Sequence, residues 1–409
     1  MRALVFDPDL TRLALAGAAS RLRPEWALRG RAPLALRDVP EPRPPRPDWA
    51  LLQTVATGIC GSDVKEGLLQ ASLDNPLSGL VSFPHVPGHE VLARVVEPPA
   101  GGGVAAGELV AVDPWLGCVP RGLENPCPAC VAGFPPHCRW VNSGGPWGPG
   151  WGMHIGNVRG LPGGFAPRLV AHASQLHRLP AGLRPQLAVL ADPLAVAMHA
   201  VEVVDGHPDR VLVLGAGTIG LGLALSARRR WPLAEVLVTC AWAHQHQLVE
   251  RLGAVALPAA PAEVLAAVAQ LSGAELAHPW RGGPWALDRG ADVVLDSIGT
   301  PGTLELGLRS LRPRGRIVTV GVARPGRAET TLTYFKEAQI VGSNGYGATP
   351  AGHQLDLALE RLAGEEEVVG AWLTHSFPLE RWRDAFTTAA RPGGGVVKVS
   401  MTFPEGGPA

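Results

Sequence analysis

Cys60 lies in the run Gly58-Ile59-Cys60-Gly61-Ser62-Asp63, and 29 residues later His89 and Glu90 end the run Pro84-His85-Val86-Pro87-Gly88-His89-Glu90. A thiolate and an imidazole are donors that suit a borderline-soft cation such as zinc. Ser62 adds a hydroxyl two residues from the thiol, and Asp63 a carboxylate able to orient an imidazole from behind. A lone Cys and a lone His are usually core residues. These two stand instead in glycine-flanked polar clusters with the character of loops, which points to a metal site.

Four of the six cysteines fall in one short segment, as Cys118, Cys127, Cys130 and Cys138. Two cysteines two residues apart, flanked by two more within reach, can enclose a tetrahedral zinc with no open position. That describes a structural metal rather than a reactive one. Disulfide pairing is the competing arrangement, and it needs an oxidising compartment. The apolar run Leu13–Ala19 follows Asp7 and Asp9 rather than a basic segment, so it does not read as a secretion signal, and a cytoplasmic protein is expected.

The chain has 409 residues, enough for two domains, with 46% hydrophobic content and a formal net charge of zero. Neutrality removes the attraction on which nucleic-acid binding depends, and no apolar run approaches the ~20 residues needed to span a bilayer. Lys65, Lys336 and Lys398 are the only lysines, so the basic residues are overwhelmingly arginine.

The elements that must position these side chains divide the chain. Its first half is rich in Pro and Gly, with short β-like runs at Ala50–Ala56 and Val91–Val96 and no helix-length periodic segment before about Gln186. That reads as a barrel-like β domain with long loops. The apolar run Val211–Leu214 then leads into Gly215-Ala216-Gly217-Thr218-Ile219-Gly220, followed by a helical stretch to Arg230 and a second apolar run, Val236–Thr239. A glycine turn between strand and helix lets backbone approach a pyrophosphate, with the helix N-terminus supplying N–H groups. Alternation continues through Asp292–Asp296, Thr303–Leu311 and Arg316–Val320, the rhythm of a doubly wound parallel sheet. The tail reads as helices at Pro350–Ala363 and Leu379–Ala390 and a strand at Val396–Thr402, able to return and complete the first domain.

With Gly163-Gly164-Phe165 and Asp192–Ala200 added, these motifs resemble, over nearly the whole length, the zinc-containing medium-chain dehydrogenases, the group of alcohol, sorbitol, threonine and glucose dehydrogenases. The resemblance implies a GroES-like β-barrel catalytic domain (residues 1–193), a Rossmann domain (194–344) and a return segment (345–409). It implies a zinc-dependent oxidoreductase that moves hydride between an alcohol or polyol, or the matching carbonyl, and NAD(P). Cys60 and His89 match the first two ligands of the catalytic zinc, Asp192 the third, and Glu90 the carboxylate that approaches or replaces zinc-bound water. Ser62 matches the hydroxyl that takes the substrate proton, and Asp63 the partner of the zinc-binding histidine. Cys118, Cys127, Cys130 and Cys138 match the structural-zinc lobe, for two zincs per chain. Gly215, Gly217, Ile219, Gly220, Cys240 and Trp242 match the nucleotide-binding positions. A homo-oligomer is implied, with no nucleic-acid or membrane partner.

The chain departs from the family pattern in four places. Eight residues separate Cys118 from Cys127, where the family has two. Asp192 stands where sorbitol- and threonine-type relatives have Glu, one methylene longer. Lys65 replaces a histidine that relays the proton outward in many alcohol dehydrogenases. Cys240 replaces the ribose-binding Asp of NAD-preferring relatives, and this loss of repulsion toward a 2′-phosphate gives a weak lean to NADP, to which His244 and His246, the nearest residues able to become cationic, add little attraction. Trp147 and Trp151, near His154, either line the substrate pocket or pack the cysteine lobe. The alternatives to a zinc dehydrogenase are a zinc-independent reductase of the same fold and a non-catalytic, zinc-stabilised binding protein.

Overall fold

Trp49–Gly58 is a ten-residue strand buried along almost its whole length. It pairs antiparallel with Glu90–Glu97, and on its other edge with Arg168–His172 and Lys398–Thr402. The sheet extends from Glu90–Glu97 to Leu109–Val112 and Leu176–Arg178, and from Lys398–Thr402 to Leu373–Pro378. The computed structural model describes residues 1–70, 75–322 and 326–404. This sheet belongs to a unit made of Met1–Asp192, Tyr346–Pro392 and the segment from Val396. The tail therefore returns to complete the first β domain.

Strand register brings the chemistry together. Gly58 lies opposite Glu90 on one side and Ser400 on the other. Cys60 follows Gly58 by two residues, His89 precedes Glu90 by one, and Lys398 precedes Ser400 by two, so all three arrive at the same end of the sheet. Gly58 is required there by close approach. A Cβ on it would stand 1.9 Å from Glu90 Oε2 and 2.9 Å from Lys398 Cε.

One helix in this unit departs from the sequence reading. Leu10–Ser20, which contains the apolar run Leu13–Ala19, is α-helical, and the Asp9 carboxylate caps it by accepting from the Arg12 N–H at 2.9 Å. Only Ala16 in it is buried, so the core imposes no 3.6-residue pattern that could be read in the sequence.

The second unit is Pro193–Gly345 with Gly393–Gly395. Its sheet has six parallel strands in the order Val255–Pro258, Glu235–Cys240, Arg210–Leu214, Ala291–Asp296, Leu311–Thr319, Gln339–Gly342. The order reverses between Arg210–Leu214 and Ala291–Asp296, the switch point where doubly wound sheets bind ligands. Helix Thr218–Arg230 starts at the Gly217 cap and stops at Trp231, before Pro232. Helix Pro261–Ser272 opens on a proline and ends at Gly273, whose φ of +67° suits glycine. The buried Lys336 ammonium donates to the carbonyls of Leu308 (2.9 Å) and Arg309 (3.3 Å) at the end of helix Pro301–Ser310, and burial pushes it down to about 7. Among the described residues, no helix is long and apolar enough to cross a membrane.

Two glycines make opposite predictions. Gly58→Ala should lower the unfolding free energy by roughly 2–4 kcal/mol, because the methyl group overlaps a buried ion pair. Gly17→Ala, inside helix Leu10–Ser20 where a Cβ meets nothing within 4 Å, should raise it by about 0.5–1 kcal/mol. Denaturant titration of both variants checks the pair.

Candidate metal and active site

Asp63 ties the first pieces together. In helix Gly61–Gly67 its Oδ2 accepts from the Cys60 backbone N–H at 2.8 Å, while Oδ1 stands 3.9 Å from His89 Nδ1. One carboxylate thus fixes the loop that carries the thiol and faces one nitrogen of the imidazole, which leaves Nε2 as the nitrogen able to face a cation. Cys60, His89 and Glu90 each bring a ligand atom within 4.8 Å of the others. Ser62 lies exposed in the first turn of the same short helix, and Lys65 is half-buried one turn on.

Glu90 is 2% exposed and pairs with Lys398, 4% exposed, whose Nζ donates to Glu90 Oε1 at 2.6 Å and to the Ile59 carbonyl at 3.2 Å. Burial alone would depress the Lys398 ammonium, but the Glu90 carboxylate and the Cys60 sulfur hold it above its usual range. Lys398 is a neighbour of this cluster that the sequence reading did not assign to it. Its signal was a lysine inside an apolar strand of a chain that otherwise uses arginine.

Asp192 opens helix Ala191–Glu202, and its Oδ1 accepts from the Tyr346 hydroxyl at 2.9 Å. Its carboxylate lies outside the tight group formed by Cys60, His89 and Glu90, although its charge is felt at His89. Its Oδ1 is engaged by Tyr346, and the close grouping contains Cys60, His89 and Glu90 of the expected set. Tyr346, fully buried and stacked edge-on against Trp115 at 6.3 Å, was not foreseen.

The electrostatics of this pocket call for a cation. Burial pushes Asp192 up to about 7 and Asp63 up to about 6, in both cases against the pull of His89. Three carboxylates and a thiol converge on His89 and Lys398, a donor set that zinc would satisfy. His154 stacks 4.8 Å from His89, and its Nδ1 bonds the Ile155 carbonyl at 2.7 Å. Burial, then the neighbouring His89, push it down to about 3, so it stays neutral. Trp147 packs edge-on against Trp49 at 5.8 Å, with its Nε1 donating to the Gly150 carbonyl at 2.9 Å, and it takes the packing role. Trp151 is partly exposed, and its carbonyl accepts from Ser82 Oγ.

All four cysteines of the lobe come together, Cys118 included. Their sulfurs lie within 4.8 Å of one another, with Cys118 to Cys138 at 3.6 Å and Cys127 to Cys138 at 4.0 Å. Sulfurs around a tetrahedral zinc with ~2.3 Å bonds sit about 3.8 Å apart. No disulfide joins them. Burial pushes the Cys138 thiol up to about 11 and Cys130 higher still, the state of sulfurs that lack a positive partner. The eight intervening residues supply Arg121, which is buried and donates to the carbonyls of Leu116 (3.0 Å), Gly152 (2.7 Å) and Ser143. The insertion thus ties the Gly-rich loop to the lobe without displacing Cys118.

In the second unit, Gly215 has a φ of +94° and its N–H donates to Thr239 Oγ1 at 2.7 Å. A Cβ on Gly220 would sit 1.9 Å from the Gly215 carbonyl oxygen, whereas one on Gly217 would meet nothing within 4 Å. The turn is therefore closed on its inner side and open at Gly217 and the helix N-terminus, which fits a pyrophosphate. Ile219 lies in the first turn of that helix. Cys240 departs from expectation. It is 3% exposed, its thiol facing the Val238 carbonyl, and burial pushes it up to about 12, so it presents no group outward. Trp242, 43% exposed, caps helix Ala243–Arg251 just beyond it.

Comparison with known proteins agrees with this geometry. Residues 46–181 match the alcohol dehydrogenase GroES-like domain, and residues 218–363 match the zinc-binding dehydrogenase family. The chain is 27% identical to an erythritol/L-threitol dehydrogenase of Mycolicibacterium smegmatis, over 87% of this chain and 91% of that one. It is 29% identical to a scyllo-inosose 3-dehydrogenase of Thermotoga maritima, over 76% of each. A zinc-binding dehydrogenase of Sinorhizobium meliloti, solved bound to NADP, superposes with a TM-score of 0.69 at 25% identity, covering 90% of this chain and 96% of that one. The chain belongs to the zinc-containing medium-chain dehydrogenases. It is an NAD(P)-dependent dehydrogenase.

The raised carboxylates set a stability test. In the metal-free folded chain, Asp63 and Asp192 still hold protons that the unfolded chain has released, so stability falls as pH rises through about 6 and about 7. His89, held well above its usual value, loses its favourable charge in the same direction as pH rises. The gain in melting temperature when zinc is added to chelator-treated protein should therefore grow from about pH 5 to 8. Thermal melts across pH, with and without zinc, check this.

Proposed function

We propose that this dehydrogenase oxidises a small polyol or related secondary alcohol, using a catalytic zinc held by Cys60, His89 and Asp192 with Glu90 beside it. A second, structural zinc would be held by Cys118, Cys127, Cys130 and Cys138. The observation that carries the reading is the convergence of Cys60, His89 and Glu90 at one sheet end, with Asp63 behind the imidazole and Lys398 behind Glu90. Zinc there supplies Lewis acidity that lowers the pKa of the alcohol.

The chain's own groups do the rest. Asp63 orients His89 and fixes the Cys60 loop. Lys398 holds Glu90 near the donors through the Nζ–Oε1 hydrogen bond, where Glu90 can approach or leave as substrate enters. Tyr346 restrains Asp192. Ser62 takes the hydroxyl proton at Oγ, its exposure in the first turn leaving it open to substrate and water. Neutral His154, Trp115 and Tyr346 give the buried side of the pocket an aromatic wall, and water exclusion there favours hydride transfer. Polyol substrates are supported by the named activities of the erythritol and scyllo-inosose relatives. The family resemblance supports a cytoplasmic homo-oligomer.

For the cofactor, the Gly215–Gly220 turn would cradle the pyrophosphate and Trp242 would border the ribose. Cys240 neither bonds ribose hydroxyls nor repels a 2′-phosphate, and this loss of repulsion supports a lean to NADP. The test is a turnover screen of polyols and secondary alcohols with each cofactor. At least one polyol should turn over, with kcat/KM for NADP equal to or above that for NAD. A preference of ~100-fold or more for NAD, about 2.7 kcal/mol, would reverse the lean. Cys60→Ala should abolish turnover while cofactor binding, followed by fluorescence, persists.

A further inference from the structure

Outside both clusters, a third set of donors meets in the first unit. Asp113 follows the strand Leu109–Val112. His177 lies in the paired strand Leu176–Arg178, opposite Ala111. His353 caps helix Gln354–Gly364. A ligand-type atom of each residue lies within 4.8 Å of the other two. The His177 and His353 rings face each other at 4.6 Å and 32°.

Hydrogen bonds fix what each group offers. His177 Nδ1 stands 2.7 Å from Asp356 Oδ1, and a carboxylate can only accept, so the ring's proton is on Nδ1. In the neutral ring, the form that binds metal, Nε2 is then a bare lone pair. It is buried without a hydrogen-bond partner, in a residue 8% exposed. Leaving such an atom unpaired costs roughly 1–3 kcal/mol, which asks for an explanation. Asp113 Oδ1 is occupied by the Trp115 N–H at 3.1 Å, while Oδ2 stands 3.4 Å from His353 Nε2. Ligand atoms around a tetrahedral zinc with ~2.0–2.1 Å bonds to N and O are about 3.4 Å apart.

We infer that Asp113, His177 and His353 form a further divalent-cation site, with a nitrogen and oxygen donor set suited to zinc or a similar borderline cation. Asp356 is its orienting carboxylate, placed behind His177 as outer carboxylates stand behind metal-bound histidines. Binding through His353 Nε2 moves that ring's proton to Nδ1 and gives up the Leu355 N–H contact, which at 3.3 Å is at the long end for such a bond. His353, partly exposed, and Asp356, half exposed, form the open side through which an ion enters. The ion would join the edge strand Leu176–Arg178 to helix Gln354–Gly364. His353 also packs edge-on against Tyr346 at 6.2 Å, so the site braces the residue that holds Asp192.

The test is a comparison of metal content in full-length wild type, His353→Asn and His177→Gln. Asn is a strong helix cap, so the first variant keeps the helix start while removing the imidazole. After saturation with zinc and gel filtration, each variant should carry one equivalent less per chain than wild type by elemental analysis. Cobalt-loaded protein should lose d–d absorption in both variants while keeping its thiolate-to-cobalt bands, since no sulfur is involved here. Asp356→Asn should weaken uptake at this site about 10–100-fold. Equal metal content in wild type and a folded His353→Asn variant would overturn the inference, and that variant decides alone if His177→Gln does not fold. The readout is a difference between proteins that share the Cys60 and Cys118 clusters, so it stands apart from whether those clusters act as proposed.

Discussion

The buried Glu90–Lys398 ion pair, seated over Gly58, is the constraint on which the active end of the first unit depends. Two opposite charges out of water are expensive unless they stay paired, and removing one partner typically costs 3–5 kcal/mol. Here the pair sits where three strands meet, and the absence of a side chain at Gly58 gives it room. The lysine comes from the last strand of the chain and the glutamate from the first third. The charge pair therefore joins the return segment to the sheet in the register that also delivers Cys60 and His89.

Around that pair the chain collects more negative groups than it can neutralise. Asp63, Asp192 and Cys60 converge on His89, and the four lobe cysteines converge on one another beside Arg121. Desolvation makes Asp63, Asp192, Cys130 and Cys138 unfavourable as anions unless a cation is present. Organisation of the lobe follows a different principle. A loop rich in Gly and Pro orders itself through Arg121, whose guanidinium fans out to four backbone carbonyls and lies 5.4 Å from the centre of the Trp147 ring.

The second unit shows how little side-chain chemistry a nucleotide turn needs. Gly215 supplies a positive φ, Gly220 lets the helix close on the strand end, and Gly217 leaves space outside. What distinguishes one cofactor from another lies at the end of Glu235–Cys240, where a buried thiol replaces an outward carboxylate.

The sequence by itself determined most of the architecture, because the signals were local or strictly periodic. The apolar run Val211–Leu214, the glycine turn and the alternation beyond it announced the parallel sheet, and cysteine spacing announced the lobe. Gly58–Asp63 and Pro87–Glu90 named the donors. Helix Leu10–Ser20 was illegible because it buries one residue and so carries no pattern. Tertiary structure alone decided the pairings between residues far apart in the chain. Lys398 meets Glu90, Tyr346 meets Asp192, and His353 meets Asp113, each across more than a hundred residues with no local signature. It also decided that Cys118 reaches its partners across an eight-residue insertion and that Cys240 turns inward. Register and burial fix such contacts, and both belong to the folded sheet rather than to any stretch of sequence.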